Sequence, residues 1–462
     1  MRRTVQWFVL AVLAGATAAG AAPSPPGWKI PVEVKKLPNG LTVVVSEDHS
    51  APTFGISTAY HIGFRLEPQS RTGFAHLFEH MMFEGTPVAA KGTLTRVIEG
   101  GGGVLNGSTR YDYTNYIASA PVSALEAILW LEADRMKTLD FSEKNLKNQQ
   151  EVVKEEIRVN VKNRPYGLFF WTDLAGKAFD KWGNNHDGYG SFEDLDAATL
   201  KDVEKFFNDY YGPNNAVMAI VGDVTPADVF AKVEKYLGAL PSRPVPPGAD
   251  LSEGLNTAER TLEQTDALAR VPAIALGWKV PSRTDKDYVP LVVLGDVLLN
   301  GEASRLYQGL VKGKELLLQV RGGLNFPFES PWRTKGPTML GLFGLYKPTT
   351  NAKAVADAIQ EEVQKIAKAG VPAPDLARVK TKMRSDFYSD IELPIDRADV
   401  LAVAQLLMGN AATINDLPGQ IDAVTSADLQ RVATTYLTVA NRTVVDRKPA
   451  PAPAAADAAK KE

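Results

Sequence analysis

The chain has 462 residues, of which 45% are hydrophobic and 23% are charged, and its net charge is −3. This is the composition of a globular protein too long for one ordinary core, so we expect two or more domains. The near-neutral charge gives no support for nucleic-acid binding, and the absence of cysteine excludes disulfides, thiol chemistry and a lipoprotein anchor.

Residues 1–21 have the pattern of a secretory signal peptide. Two arginines precede a short apolar run from Val5 to about Ala16, and residues 19–21 form a small-residue cleavage site. The alternative is an uncleaved anchor helix, for which the apolar run is short. We expect export to a Gram-negative periplasm and no stable membrane anchor after cleavage, because an exported chain without cysteine fits that compartment.

Apolar periodicity predicts the elements of the first part of the chain. It indicates strands over 40–48, 53–63 and 103–119, and helices over 73–83, 122–136 and 142–161. Strands and helices mix here without strict alternation. We therefore predict an α+β fold, in which mixed β-sheets are covered by helices.

The segment Gly73–Thr86, GFAHLFEHMMFEGT, is apolar, yet it carries His76, Glu79 and His80. At i, i+3 and i+4 these side chains share one face of a helix. Two imidazoles one turn apart can hold a metal ion, and a carboxylate beside them can take a proton from water, as in the inverted His-x-x-Glu-His motif. Two ordinary core histidines are the less favoured interpretation, because the chain has only five histidines.

A third metal ligand must come from elsewhere, since a catalytic zinc site has three protein ligands and one open position. The acidic helix predicted over 142–161 offers Glu151, Glu155 and Glu156. At about 100° per residue, Glu156 falls inside an apolar arc that includes Val152, whereas the other two glutamates fall outside it. We therefore predict Glu156 as the third ligand.

A proline- and glycine-rich stretch, residues 241–256, predicts an extended linker between two parts of similar length. We expect an N-terminal catalytic domain over 28–240 that contains the metal site and a C-terminal domain over 257–446. A Pro/Ala-rich tail over 447–462 should be disordered.

The closing segments of the two parts match at one constant offset, which predicts an internal duplication. In both, a Thr/Asp capping signal opens a helix, and a turn then leads into an apolar strand. The matched residues are Thr199, Asp202, Tyr210 and Asn215 in the first part and Thr425, Asp428, Tyr436 and Asn441 in the second.

With these residues placed, the sequence resembles the inverzincin peptidases typified by pitrilysin, insulysin and the mitochondrial processing peptidase. The resemblance covers nearly the whole mature chain; HLFEHMMFEGT is its specific motif, and EVVKEEI stands where the family has its third ligand. It implies His76, His80 and Glu156 as ligands of one zinc ion per chain, and Glu79 as general base. It also implies two homologous domains that form half of a clamshell.

The segment LNGSTRYDYTNYIA resembles the edge strand of that family, to which a substrate peptide adds as a further strand. Asn106 and Thr109 match an Asn-Ala-x-Thr pattern, with Gly107 in place of the alanine, and are implied substrate-binding residues. Gln149 stands where many members have a second glutamate near the metal. An amide can hydrogen-bond a histidine there, but it cannot offset the charge of the metal.

The second part departs further from the family pattern. Active members often have an Arg and a Tyr that contact the substrate backbone and the reacting carbonyl; here Val311 and Leu318 hold those places, and neither donates a hydrogen bond. We interpret the nearby Arg305 and Tyr307 as surface residues. No histidine follows His186, so we expect an inactive C-terminal domain. A homologous partner subunit with the Arg/Tyr pair would complete the site in a heterodimer.

The leading hypothesis is a zinc-dependent endopeptidase that hydrolyses peptides as the catalytic subunit of such a pair. The alternative is a non-catalytic structural or binding subunit with a peptidase fold, against which the intact set of site residues argues. A maturation peptidase of the pyrroloquinoline-quinone type shares the chemistry, but the signal peptide disfavours a cytoplasmic role. A site of two histidines and a glutamate can also take manganese or cobalt in vitro.

Overall fold

The computed structural model describes residues 29–327 and 330–451. The predicted signal peptide and the tail from residue 452 onwards lie outside the described residues. The strands are β1 (Glu33–Lys36), β2 (Thr42–Glu47), β3 (Thr53–Tyr60), β4 (Val104–Thr109), β5 (Thr114–Pro121), β6 (Ala216–Gly222), β7 (Arg260–Asp266), β8 (Ala273–Val280), β9 (Leu317–Leu324), β10 (Thr338–Tyr346) and β11 (Arg442–Pro449).

The helices lie between these strands, and the last five of them follow one another between β10 and β11. They are α1 (Phe74–Met81), α2 (Thr93–Gly100), α3 (Leu125–Lys137), α4 (Glu143–Ile157), α5 (Thr172–Ala178), α6 (Trp182–Asn185), α7 (Phe192–Asp196), α8 (Leu200–Tyr210), α9 (Pro226–Leu237), α10 (Tyr288–Leu299), α11 (Ala352–Ala369), α12 (Ala373–Asp390), α13 (Pro394–Met408), α14 (Leu417–Ala423) and α15 (Ser426–Tyr436). Shorter π-helical turns follow α4 at Arg158–Lys162 and precede β9 at Tyr307–Gly313.

The first sheet has the order β1-β2-β6-β3-β5-β4. β2 and β6 are parallel, and the other neighbours are antiparallel. Helices α1, α3, α4, α8 and α9 bury their apolar faces in one core with the strands. Representative side chains of this core, one from each helix, are Phe78, Ile128, Val153, Phe206 and Val229.

The second sheet repeats this scheme. Its order is β7-β11-β8-β10-β9, with β7 and β11 parallel and the other neighbours antiparallel. Each of these strands therefore has a counterpart in the first sheet, where β1 is the additional strand. The predicted fold, two homologous domains of mixed sheet covered by helices, is confirmed.

The matched closing segments have the same local structure in both halves. Thr199 and Thr425 each form a capping box with the aspartate three residues later. Asn215 donates to the carbonyls of Tyr210 and His61, at 2.9 and 3.2 Å. Asn441 likewise donates to the carbonyls of Tyr436 and Lys279, at 2.7 and 2.9 Å. Each asparagine thus joins the end of a helix, α8 or α15, to the end of an earlier strand, β3 or β8, that pairs with the strand after that helix.

The two halves exchange helices, which the linear domain boundaries did not anticipate. Helix α13, from the second half, packs on β3 and β6 of the first sheet, where Ser57 donates to Asp399 at 3.1 Å. Helix α5, from the first half, packs on β8 and β11 of the second sheet. Its Leu174 joins a core that contains Ala275 and Phe343. An apolar helix face predicts burial, but it does not say against which sheet.

Two predicted boundaries are wrong in detail. The strand predicted over 103–119 is a hairpin of β4 and β5, because the chain turns at Arg110, whose N–H donates to the Tyr113 carbonyl. The tail predicted from residue 447 begins later, because β11 continues to Pro449 in parallel pairing with β7. Backbone pairing with that strand orders residues that composition alone assigns to a tail.

The predicted linker, residues 241–256, has no helix or strand. It is nevertheless anchored, since the Glu253 carboxylate accepts from the backbone N–H groups of Asp180 and Lys181 and pairs with Lys279 at 2.8 Å. Among the residues described, no single helix is long and apolar enough to cross a membrane. Helix α13 and the segment Ala411–Ala423 meet the length and composition only together, and they are bent by 108°.

Candidate metal centre

Helix α1 begins on a buried carboxylate that the sequence interpretation missed. Gly73 precedes the helix with a left-handed φ of 83°, and its lack of a side chain leaves the first N–H groups without a cap. Glu67 supplies the cap: its carboxylate accepts from the N–H groups of Gly73 and Ala75 at 3.0 and 2.7 Å, and also contacts His186 at 3.1 Å. Burial raises the pKa of Glu67, against the opposing effect of His186.

The structure brings both α1 histidines and Glu156 of α4 together. The Nε2 atoms of His76 and His80 are 3.3 Å apart. The Glu156 carboxylate oxygens lie 3.4 Å from Nε2 of His76 and 3.5 Å from Nε2 of His80. Within residues 29–327 and 330–451, this is the one group of three or more His, Cys, Asp or Glu side chains close enough to hold a metal ion.

These separations fit a zinc ion. Zinc takes nitrogen and carboxylate ligands tetrahedrally at about 2.0–2.2 Å, which places neighbouring donor atoms about 3.3–3.5 Å apart. The three measured distances lie in this range. Three protein donors leave one tetrahedral position for another ligand, as in catalytic zinc sites.

Glu156 lies at the edge of the buried face of α4 rather than within it. Val152, which the sequence interpretation placed in the apolar arc, is 37% exposed, whereas Lys154 is buried. The buried face is therefore rotated relative to the predicted one, and Glu156 is half-buried where the helix borders the histidines. Glu151 and Glu155 are on the surface, where they pair with Lys154 and Arg158 at 2.6 and 3.0 Å.

Charges and burial oppose one another at the two histidines. Burial lowers the pKa of His76, but the hydrogen bond with Glu156 and the nearby Glu79 together raise it. Burial lowers the pKa of His80, and His76 lowers it further. The hydrogen bond with His76 lowers the pKa of Glu156. An ionised carboxylate and a neutral imidazole are the forms that bind a metal.

Glu79 projects from the same face of α1 and is held by Thr109 at the end of β4. The Thr109 hydroxyl donates to Glu79 Oε2 at 2.6 Å, and the threonine is only 5% exposed. The resemblance implied a substrate contact for Thr109, but its hydroxyl is committed to Glu79. A substrate contact by Thr109 therefore stays a prediction, and its hydroxyl positions the Glu79 carboxylate.

The rest of β4 lies along the site as the edge strand of the first sheet. Gly107 is so close that a Cβ atom there would be 3.0 Å from Cγ of Glu79. Asn106 is exposed, and its side-chain oxygen accepts from the N–H of Gly107 at 2.9 Å. The face of this strand at Gly107 therefore lies directly against Glu79, and Asn106 presents a polar side chain to solvent.

Gln149 lies beside the histidines and connects them to a second carboxylate. Its Oε1 is 3.2 Å from Nδ1 of His80, and its Nε2 donates to Glu84 at 2.7 Å. Lys91, in the loop after α1, pairs with Glu84 at 2.5 Å. The sequence interpretation missed Glu84, although it lies within the motif HLFEHMMFEGT, because only the fold reveals what it faces.

The second half has no comparable chemistry at the expected places. Val311 lies in the π-helical turn Tyr307–Gly313 and is partly buried against the second core, while Leu318 is 47% exposed on the edge strand β9. Arg305 and Tyr307 make local contacts with Asp375 and Glu302, both at 3.3 Å, as expected for surface residues.

Two family models match the chain. Residues 42–169 match the model described as Insulinase (Peptidase family M16), and residues 197–383 match the model described as Peptidase M16 inactive domain. The first match contains His76, Glu79, His80 and Glu156. The second lies mostly in the part that has no metal-binding group among its described residues.

The chain is similar to a protein from Helicobacter pylori named zinc protease PqqE. It is 28% identical over 416 residues, which cover 89% of this chain and 92% of that protein. A probable mitochondrial-processing peptidase subunit beta from Arabidopsis thaliana is 26% identical over 87% of this chain and 76% of its own length. The crystal structure of a protease from Helicobacter pylori has a TM-score of 0.85 and 27% identity, over 91% of this chain and all of that one.

Proposed function

The chain belongs to the M16 peptidase family, and we propose that it is a zinc-dependent endopeptidase that hydrolyses peptides. The observation that carries this proposal is the placement of Nε2 of His76, Nε2 of His80 and the Glu156 carboxylate 3.3–3.5 Å apart, with Glu79 beside them. Relatives named zinc protease support the same chemistry.

In this proposal His76, His80 and Glu156 hold one zinc ion. When bound, zinc supplies Lewis acidity, which polarises a carbonyl group and makes water a better nucleophile at neutral pH. The side chains are suited to hold the ion because two are imidazoles and one is a carboxylate, the donor set of several zinc peptidases.

Glu79 is the proposed general base. It accepts a proton from the attacking water and delivers it to the leaving amine. The hydrogen bond from Thr109, at 2.6 Å, holds one carboxylate oxygen in place and leaves the other free to exchange a proton. Positioning of this kind matters because proton transfer requires hydrogen-bond distance between base and donor.

The substrate peptide is proposed to add to the outer edge of β4. This strand has β5 on only one side, so its other edge offers unpaired backbone groups to an extended peptide. Asn106 and Gly107 are the proposed contacts. Gly107 brings the bound backbone close to Glu79, because no side chain separates the strand from that carboxylate.

A homologous subunit is the proposed partner. Hydrolysis of a peptide needs donors that stabilise the developing oxyanion, and loss of one such donor typically costs about 2.7–4 kcal/mol. Val311 and Leu318 provide no donor, and a second copy of this chain carries the same two residues. A partner with the Arg/Tyr pair, closing on this chain like the other half of a clamshell, would supply them. The relative named as a processing peptidase subunit beta is consistent with a subunit role.

We place this activity in the periplasm of a Gram-negative bacterium, on the basis of the pattern of residues 1–21 and the absence of cysteine. The alternative function is a non-catalytic subunit. The match to the inactive-domain model favours it, but that match does not include the residues proposed to bind zinc.

The test is to purify the mature chain, measure its metal content, and assay hydrolysis of unstructured peptides alone and with a homologous subunit that has the Arg/Tyr pair. We expect about one zinc per chain, and activity that a chelator removes and zinc restores. A chain that binds no zinc and stays inactive with such partners would favour the non-catalytic alternative.

A further inference from the structure

Glu84 is a buried carboxylate to which the proposed reaction assigns no role. It follows α1 in the chain and is 4% exposed. It contacts Lys91 and the amide of Gln149, which is 5% exposed and itself contacts His80. Four side chains therefore form one line of contacts from the surface to Nδ1 of a proposed zinc ligand.

The donors and acceptors along this line permit one arrangement. Glu84 is paired with a lysine and, as a carboxylate, can only accept hydrogen bonds. The end of Gln149 that faces it must therefore be the NH₂ group, so the carbonyl oxygen of Gln149 faces His80. Nδ1 of His80 must then carry the proton and donate it.

The consequence is that Nε2 of His80 has a free lone pair. This is the nitrogen that lies 3.3 Å from Nε2 of His76 and 3.5 Å from Glu156. Metal-binding histidines commonly have their tautomer set by a hydrogen bond at the other ring nitrogen. His76 has no such partner for its buried Nδ1 among the described residues, so this control acts at His80.

We propose that Glu84 is a positioning residue for the zinc site: it orients the Gln149 amide and thereby holds His80 in the tautomer that binds the metal. An amide alone can present either its oxygen or its nitrogen to a histidine, and the carboxylate behind it removes that ambiguity. Many family members have a glutamate at the place of Gln149, and its negative charge lies near the metal. In this chain Glu84 carries a negative charge instead, one side chain farther from the proposed metal position. The inference rests on the proposed zinc site, but not on hydrolysis.

The test uses Glu84→Gln, which preserves shape but can donate as well as accept. In zinc-free protein at mildly alkaline pH, we expect ¹⁵N NMR of labelled histidines to show His80 protonated at Nδ1 in the wild type and a mixture of tautomers in the variant. Zinc affinity, measured by competition with a chelator, should fall about 10–100-fold, the usual cost of losing such an outer partner. Glu99→Gln, at an exposed position of α2, is the matched control and should change neither quantity.

A second variant tests the logic directly. Glu84→Gln combined with Gln149→Glu exchanges the two groups and places the carboxylate on His80 itself, so we expect the Nδ1–H tautomer and most of the zinc affinity to return. The inference is overturned if Glu84→Gln keeps a single Nδ1–H tautomer and wild-type affinity, or if the exchange rescues neither. Both readouts are independent of peptide cleavage, so an inactive wild type would contradict the proposed function and leave this result standing.

Discussion

The two halves of the chain share a scaffold but differ at the site. Both have a sheet with the same order of parallel and antiparallel pairs. In both, one helix, α8 or α15, begins with a capping box and is joined at its end to the sheet by an asparagine. Only the first half has a cluster suited to a metal within the described residues. Apolar cores and caps therefore maintain this fold, while a few side chains on two helices decide its chemistry.

The difference in metal-binding side chains is clearest between helix α1 and its counterpart in the second half, α10. Each follows the corresponding strand and ends before a glycine with positive φ, Gly85 at 91° and Gly301 at 77°. Five residues before these glycines stand His80 in α1 and Asp296 in α10. Nine residues before them stand His76 in α1 and Val292 in α10. Burial raises the pKa of Asp296, and Asn300 donates to it at 2.9 Å. The second helix thus keeps its apolar packing and retains a satisfied polar residue in place of a ligand.

The largest expected effect comes from the proposed base. Glu79→Gln should lower peptide hydrolysis about 10²–10⁴-fold, the usual contribution of a positioned acid or base, while zinc content is unchanged because the three ligands remain. Asp296→Asn in the second half is the control and should leave hydrolysis unchanged. Near wild-type cleavage by Glu79→Gln would remove Glu79 from the mechanism.

A gain of function should come next in size. Val311→Arg together with Leu318→Tyr would place donors in the second half at the positions that lack them. If two copies of the variant close on each other, the isolated chain should gain about 10²–10³-fold in kcat, which corresponds to about 2.7–4 kcal/mol for one oxyanion donor. The single changes serve as controls. No gain, together with full activity of the unmodified chain alone, would contradict the need for a partner.

The third effect concerns metal content. Loss of a group that hydrogen-bonds to a metal ligand typically reduces metal affinity about 10–100-fold. Glu156→Gln should reduce zinc affinity by more than this, because it removes a ligand itself. Glu155→Gln, one residue away but exposed and paired with Arg158, should not change it. Competition with a chelator measures both, and a stronger loss in Glu155→Gln would show that α4 presents a different carboxylate.

The smallest effect should be of similar size in the two halves and somewhat larger at Asn441, whose side-chain oxygen also accepts from the Asn256 N–H at 3.1 Å. Asn215→Ala and Asn441→Ala each leave two backbone carbonyls without their donor, so each should lower the free energy of unfolding by about 1–3 kcal/mol. Thermal or urea unfolding monitored by circular dichroism gives the comparison. A large difference between the two variants would mean that the repeated bridges do not support the scaffold equally.

Local patterns in the sequence were sufficient for some of these features. His76, Glu79 and His80 share one helix, so their spacing fixes a common face, and the capping boxes are also encoded within a few residues. The contacts of Glu84 and Glu67 could not be foreseen, since their partners come from distant segments. The rotation of α4 was misjudged because Val152 is exposed and Lys154 is buried with partners on its own helix and α7. The helix exchange depends on tertiary packing that apolar periodicity does not specify.

The most direct test of the central claim is the position of the metal. Crystals of the purified chain, grown with zinc, would be measured on both sides of the zinc absorption edge to give an anomalous difference map. We predict one peak bounded by His76, His80 and Glu156, and none beside Asp296 in the second half. A map without a peak among these three side chains, from protein that contains zinc, would contradict the account.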